Sequence, residues 1–207
     1  MTWLLRSWPD VLQALWEHIA ISLTALTIAF AMAMTLGIAA ARREKLYGAV
    51  MTVSGILYTI PTLAFLALLI PLVGLGRTNA IITMVAFSLM ILIRAVATGI
   101  REVPADIIDA ARGMGMTPAQ VMRRIELPLA LPMIVAGLRV AAVTVISVTV
   151  VAAYINAGGL GSLIFNGISS DHPAKIWVGA LMVCLLAVTV DISLALAERR
   201  LKRRHGT

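Results

Sequence analysis

The sequence predicts an all-α fold, a polytopic membrane helix bundle of five transmembrane helices with the N-terminus outside and the C-terminus in the cytoplasm. Of its 207 residues, 60% are hydrophobic and 13% are charged, whereas soluble domains average about 45–50% apolar and about 25% charged residues. The apolar residues form five stretches, each long enough to cross a bilayer core about 30 Å thick. Lysine and arginine gather between alternate stretches, which sets the orientation.

The five stretches are expected to be helices of one membrane domain, residues 1–207. A helix satisfies its own backbone hydrogen bonds in lipid, whereas a transmembrane barrel needs many shorter segments of alternating polarity. The second stretch contains Pro61 and Pro71, each of which removes a backbone hydrogen bond and predicts a kink. In chain order, the predicted spans are residues 19–41, 51–73, 80–100, 133–155 and 176–197.

The positive charge of the chain, +7 in total, is distributed unevenly. Twelve of the 17 lysines and arginines fall in one set of connecting segments and three in the other. Positive residues favour the cytoplasmic side and anionic lipid, so the first set is expected to be cytoplasmic and no nucleic-acid partner is predicted. The cytoplasmic set is Arg42, Arg43, Lys45, Arg101, Arg112, Arg123, Arg124, Arg199, Arg200, Lys202, Arg203 and Arg204, and the external set is Arg6, Arg77 and Lys175.

The segment between the third and fourth spans, residues 101–132, is polar yet carries helix signals. Its spacing predicts one short amphipathic helix, a turn at Gly115, and a second helix begun by a capping box at Thr117-Pro118-Ala119-Gln120. Pro128 and Pro132 are expected to interrupt the chain before the fourth span. Such a helix pair packs on its own bundle, on lipid, or in the groove of a partner protein.

This segment resembles the EAA loop of the permeases of ABC importers. The family pattern is Glu-Ala-Ala, three residues, Gly, nine residues, Ile, one residue and Leu-Pro. Here Asp109-Ala110-Ala111 is followed at the same spacings by Gly115, Ile125 and Leu127-Pro128, with Asp109 as the one departure. Residues 60–76, 111–117 and 157–168 resemble the osmoprotectant branch, whose members import glycine betaine, carnitine, choline or related quaternary amines.

The resemblance implies that the loop forms coupling helices that dock into cytoplasmic ATP-binding subunits. It also implies a second permease subunit, the same or homologous, and an extracytoplasmic substrate-binding protein, all working in a bacterial inner membrane. No cofactor, metal or catalytic residue is expected in this chain, since the ATPase activity would reside in the partner. The implied contact residues are Asp109, Ala110, Ala111, Gly115, Met116, Thr117, Pro118, Val121, Ile125, Leu127 and Pro128.

Two alternatives stay open. The permeases of methionine or other amino-acid importers are similar in size and loop pattern, so the substrate is less firmly indicated than the class. An intramembrane enzyme is disfavoured, because the three histidines are expected in loops or chain ends and Asp191 is the only acid deep in a span. The chain also lacks the G-x-x-x-x-G-K-[ST] loop, so it is not expected to bind ATP itself.

Three ionisable residues lie within the predicted spans, Arg94, Arg139 and Asp191. Charges in such positions are costly and need a partner or water, so Asp191 is expected to pair with one of the two arginines, as a gate or as a fixed structural pair. Cys184, within the fifth span, is expected to be a small buried residue. Candidate pathway residues are Tyr58, Pro61, Ser147, Thr149, Tyr154 and Asn156.

Overall fold

A computed structural model describes residues 7–205, and every regular element in that range is a helix. Arg6, which entered the charge count, lies outside the described residues. A π turn, Met122–Glu126, joins α6 to α7, and a short 3-10 turn, Ala153–Ile155, follows α7. In chain order, the α-helices are α1 (Trp8–Ala41), α2 (Glu44–Thr59), α3 (Thr62–Val73), α4 (Arg77–Arg101), α5 (Ala105–Gly113), α6 (Pro118–Val121), α7 (Leu127–Ala152), α8 (Leu160–Ser169) and α9 (Pro173–His205).

Four helical segments in the described range are long and apolar enough to cross a membrane: α1, α4, the continuous α6–α7 helix and α9. The second predicted span, residues 51–73, is not one kinked helix: α2 and α3 meet at an angle of 100°. The break lies at Ile60, whose backbone is extended because the ring of Pro61 disfavours a helical conformation in the preceding residue. Pro71 lies inside α3 without ending it. Counting the bent pair as one span gives five.

The core is built around α4, which is the most buried of the membrane helices and packs between α1 and α7. Small residues let these helices approach closely, as is common in membrane bundles. On α1, the fully buried Ala25, Ala29 and Ala33 recur every four residues. Between α4 and α7 the contact is closer still: a Cβ atom added to Gly137 would lie 2.2 Å from the Cβ atom of Ala95. A side chain larger than hydrogen does not fit there.

Three expectations about local structure are wrong. The helix runs through Pro128 and Pro132 without interruption. Just before Pro128 the backbone forms a π turn, in which the Leu127 N–H bonds the Met122 carbonyl oxygen. His18 lies within α1 and is fully buried rather than in a terminal segment, since Pro9 and Asp10 start α1 well before the apolar stretch.

Cys184 is exposed instead of buried. It belongs to α9, the outermost helix, whose most apolar window has none of its residues buried. In a membrane helix at the edge of a bundle, apolar side chains face lipid as readily as protein, so hydrophobicity alone does not indicate which residues are in the core.

Candidate functional site

The connection between α4 and α7 is an ordered helix–turn–helix. Gly115 has a φ of 82°, a conformation that favours glycine, and it turns the chain from α5 towards α6. The predicted capping box is present: the Thr117 N–H donates to Oε1 of Gln120 at 2.8 Å, and the Gln120 N–H donates to Oγ1 of Thr117 at 3.4 Å. These bonds fix the start of the second helix.

The connection has a buried side and an exposed side. Ala111 and Val121 are 1% exposed and lie on its buried side, where the two short helices and the π turn pack on one another, whereas Met114 is 72% exposed. Met114 thus leaves a large apolar side chain open at the turn between the two short helices. Of the other residues implied by the loop motif, Asp109, Ala110, Gly115, Thr117 and Pro118 are exposed, and Met116, Ile125, Leu127 and Pro128 are half-buried.

Ion pairs join the base of this connection to the turn between α1 and α2. Glu126, in the π turn, is 1% exposed and accepts a hydrogen bond from Arg42. From the end of α4, Arg101 donates to the carbonyl oxygens of Ala40 and Ala41 at 3.0 and 3.2 Å. A cation at the last carbonyls of a helix also compensates its dipole. We call this part of the molecule the basic end: the α1–α2 turn, the α4–α7 connection and the C-terminal turns of α9.

Arg139 of α7 forms an ion-pair network with α9. Its Nε and one terminal nitrogen donate to the two carboxylate oxygens of Asp191 at 3.0 and 3.1 Å, and its other terminal nitrogen donates to Glu198 at 2.9 Å. Lys202 pairs with Glu198 at 2.8 Å. The two-point contact between a guanidinium and a carboxylate is a strong and directional arrangement. Of the two arginines considered as partners for Asp191, the structure therefore brings Arg139 to it.

An open groove follows one face of α7. It consists of three adjoining hollows of about 270, 510 and 460 Å³. Tyr58 is shared by the first two hollows, and Met133 and Ala136 by the last two. Along α7 the lining extends from Val148 to Leu129, a rise of about 28 Å and so close to the thickness of a bilayer core. We call it the α7 groove; it ends beside the α4–α7 connection at Ile107.

Two of the six candidate pathway residues, Tyr58 and Pro61, line the α7 groove at the break between α2 and α3. Thr149 does not: it is fully buried between α1 and α7, where its hydroxyl shares a 2.9 Å hydrogen bond with that of Ser22. Buried polar groups are normally paired in this way, so the contacts of Thr149 account for its polarity.

The remaining three candidates lie apart from the groove lining. Ser147 is exposed, and its hydroxyl donates to the Val143 carbonyl of its own helix at 3.0 Å. Tyr154 and Asn156 follow α7 at the end opposite the basic end. The Tyr154 ring packs edge-on to that of Phe165, with 5.7 Å between the ring centres.

At the end opposite the basic end, Glu17 of α1 contacts both the first residue of α4 and the loop that precedes α8. It pairs with Arg77 at 3.0 Å and accepts the Gly159 N–H at 3.2 Å. At the next residue of α1, the Nε2 atom of His18 lies 3.2 Å from the Ile146 carbonyl oxygen. These contacts explain how α1 carries polar residues into the bundle without ending.

Known proteins are similar to this chain in architecture and in sequence. Residues 33–203 match the family described as binding-protein-dependent transport system inner membrane component. The chain belongs to this family. It is therefore the permease subunit of an ABC importer, a multi-pass component of the inner membrane.

The relatives include permeases for quaternary amines. The chain is 40% identical to the choline transport system permease protein OpuBB of Bacillus subtilis, over 93% of this chain and 88% of that one. It is 38% identical to the glycine betaine/carnitine/choline permease protein OpuCB of the same organism, over 97% and 92%. Among solved structures, the MetNI methionine ABC transporter in an inward-facing form matches with a TM-score of 0.83 at 23% identity, covering 97% of each chain.

Sequence reasoning missed Glu198 and Glu126. Glu198 lies seven residues after Asp191, two helical turns along the same face, so the helical period gave a usable signal. Glu126 occupies the position that the EAA pattern leaves free, and its partner Arg42 lies 84 residues away. No local pattern in the sequence indicates that contact.

Proposed function

We propose that this permease docks cytoplasmic ATP-binding subunits on the exposed side of its α4–α7 connection and uses their closure to move quaternary-amine osmoprotectants across the membrane. The observation that carries the proposal is the two-sided connection, with Met114 exposed and Ala111 and Val121 buried. A partner bound there would move the α4–α7 connection as one ordered element. ATP hydrolysis would take place in the partner.

The basic end would face the cytoplasm, with the N-terminus outside. This orientation is supported by the twelve lysines and arginines of the connections and tail that gather there. It gives a labelling test. In a Cys184→Ser background, a cysteine at Met114 should resist a membrane-impermeant maleimide added to intact cells, whereas a cysteine at Asp171, exposed at the opposite end, should react. The reverse pattern would overturn the orientation.

The proposed substrates are glycine betaine, carnitine, choline or similar compounds. Support comes from relatives that carry these names at 36–40% identity over most of the chain. The methionine transporter is similar in structure but only 23% identical in sequence, so this similarity supports the fold and not the substrate. An extracytoplasmic binding protein would deliver the substrate to the membrane.

The α7 groove is proposed as one wall of the substrate pathway. It extends over about the thickness of a bilayer core and is open along its length, so a second permease subunit, the same or homologous, would supply the facing wall. Tyr58 and Pro61 would line it beside the break between α2 and α3. Because α4 and α7 form the groove and flank the connection, a displacement of the connection would reach the groove directly.

The docking surface is tested in proteoliposomes that contain the permease with its ATP-binding subunits and binding protein. Met114→Asp places a charge on the exposed apolar side of the connection and should reduce ATP-driven glycine betaine uptake and co-purification of the ATPase. Met114→Leu keeps the side apolar and serves as the matched control. Full uptake by the aspartate variant would refute docking at this surface.

A further inference from the structure

Arg94 stands out among the charged residues of the bundle. It lies on α4, seven residues or about 10 Å before the end of that helix at Arg101. It is exposed and lines the middle hollow of the α7 groove, among the apolar residues Met90, Ile91 and Val140. Among residues 7–205, no carboxylate lies within ion-pair distance of it. A charge at membrane depth needs water or a counter-ion.

The other arginine at similar depth shows what a structural role looks like in this bundle. Arg139 has two carboxylates, Asp191 and Glu198, within 3.1 Å. Where an arginine joins two helices of this bundle, as Arg139 joins α7 to α9, carboxylates of the second helix pair with it. Arg94 receives none and instead points its charge into a groove with a volume of about 510 Å³ in that hollow alone. Any counter-ion of Arg94 therefore comes from outside the described residues, and the α7 groove gives an incoming carboxylate access to it.

One aromatic ring lies on the same wall, supported by two more behind it. Tyr58 lines the middle hollow together with Arg94. Its ring packs edge-on to Phe87, with 5.8 Å between ring centres, and Phe87 packs on Phe65 at 5.4 Å. A quaternary ammonium group has no N–H to donate and binds favourably over such faces. One hollow therefore offers a cation for a carboxylate and an aromatic face for a trimethylammonium group.

We propose that Arg94 binds the carboxylate of a zwitterionic quaternary amine in the α7 groove, so that the pathway favours glycine betaine and carnitine over the bare cation choline. Choline has no carboxylate and is repelled by the guanidinium. Arginine suits this role because its planar group donates two parallel hydrogen bonds to one carboxylate. The proposal rests on the proposed function of the chain as a quaternary-amine permease.

The test is the ratio of glycine betaine to choline uptake in proteoliposomes that carry the full complex with ATP enclosed. The binding protein is saturated with each substrate and is the same in all samples, so its own preference cancels between variants. Arg94→Gln should lower the ratio by at least about tenfold, because it removes both charge-assisted hydrogen bonds to the carboxylate and the charge that repels choline. Arg94→Lys keeps the charge but not the two-point geometry and should give an intermediate ratio. Arg43→Gln removes an exposed charge at the basic end and should leave the ratio unchanged.

Two outcomes would overturn the proposal. An unchanged ratio in Arg94→Gln, with uptake intact, shows that the carboxylate does not contact this side chain. An equal loss of both substrates points instead to a fixed partner of Arg94, such as an acid of the second permease subunit or a lipid phosphate. If the wild-type complex transports neither compound, the proposed function fails, and that result is distinct from either of these.

Discussion

The contact between α4 and α7 gives the sharpest quantitative prediction, because it depends on one missing methyl group. In Gly137→Ala the new Cβ atom would lie 2.2 Å from the Cβ atom of Ala95, while the next nearest atoms, Cα of Ala95 and the Ile91 carbonyl oxygen, are at 3.7 and 3.8 Å. One atom is therefore responsible for the whole clash. The two helices must move apart until that distance reaches van der Waals contact.

Overpacking of this kind costs about 1–3 kcal/mol. Replacing a helical glycine by alanine offsets about 1 kcal/mol of that cost through helix propensity, so the free energy of unfolding should fall by about 0–2 kcal/mol in Gly137→Ala. Adding Ala95→Gly removes the clashing atom and leaves only contacts at 3.7 Å and beyond. The double variant should therefore be more stable than the sum of the two single changes predicts, with a coupling energy equal to the overpacking cost of about 1–3 kcal/mol.

The measurement is unfolding of the purified permease complex in mixed micelles with increasing dodecyl sulfate, followed by tryptophan fluorescence. Gly55→Ala is the control, since Gly55 is also helical and has no atom within 4 Å of the added Cβ position. It should unfold at the same or a higher dodecyl sulfate fraction than the wild type. If Gly137→Ala matched Gly55→Ala, or if Ala95→Gly gave no rescue, the close approach of α4 and α7 would be refuted.

Two further predictions concern the ion-pair network and the connection. Asp191→Arg should abolish ATP-driven uptake by setting two like charges together, and adding Arg139→Asp should restore part of it; absence of rescue would show that this pair does not act as a unit. Gly115→Ala should destabilise the complex by about 1 kcal/mol or more, because its φ of 82° strains any other residue. Gly113→Ala, which has equally open surroundings and an ordinary φ, should be tolerated in the same unfolding assay.

Features set by neighbouring residues were predictable from the sequence. The capping box at Thr117 depends on side chains three residues apart, and it forms as expected. Pro61 marked a disturbance in the second span, since a proline acts on the residue before it. The angle between α2 and α3 is 100°, much larger than a kink. This angle depends on how α3 packs against α4, and no local sequence pattern encodes it.

Features set by distant contacts were not predictable. Because a charge in a membrane is costly, the sequence indicated that Asp191 needs an arginine as its partner. It did not indicate whether that partner is Arg94 or Arg139, because the choice depends on how the helices pack. Hydrophobicity also failed to separate lipid-facing from buried positions, as Cys184 shows. His18 was misplaced because its polarity suggested a chain end, whereas contacts from α7 accommodate it inside α1.

The arrangement of α4 and α7 bears on how a partner at one end could act on a site in the groove. These two helices leave the connection at Arg101 and Leu127 and continue without a break for 25 and 26 residues. At their base, Glu126 and Arg101 fasten them to the α1–α2 turn, so the connection cannot fold over independently of α1. Each helix is stiff, and together they form most of the groove wall, including Arg94. Under the proposed function, a force on the connection would therefore be transmitted to the groove wall rather than being lost in a flexible loop.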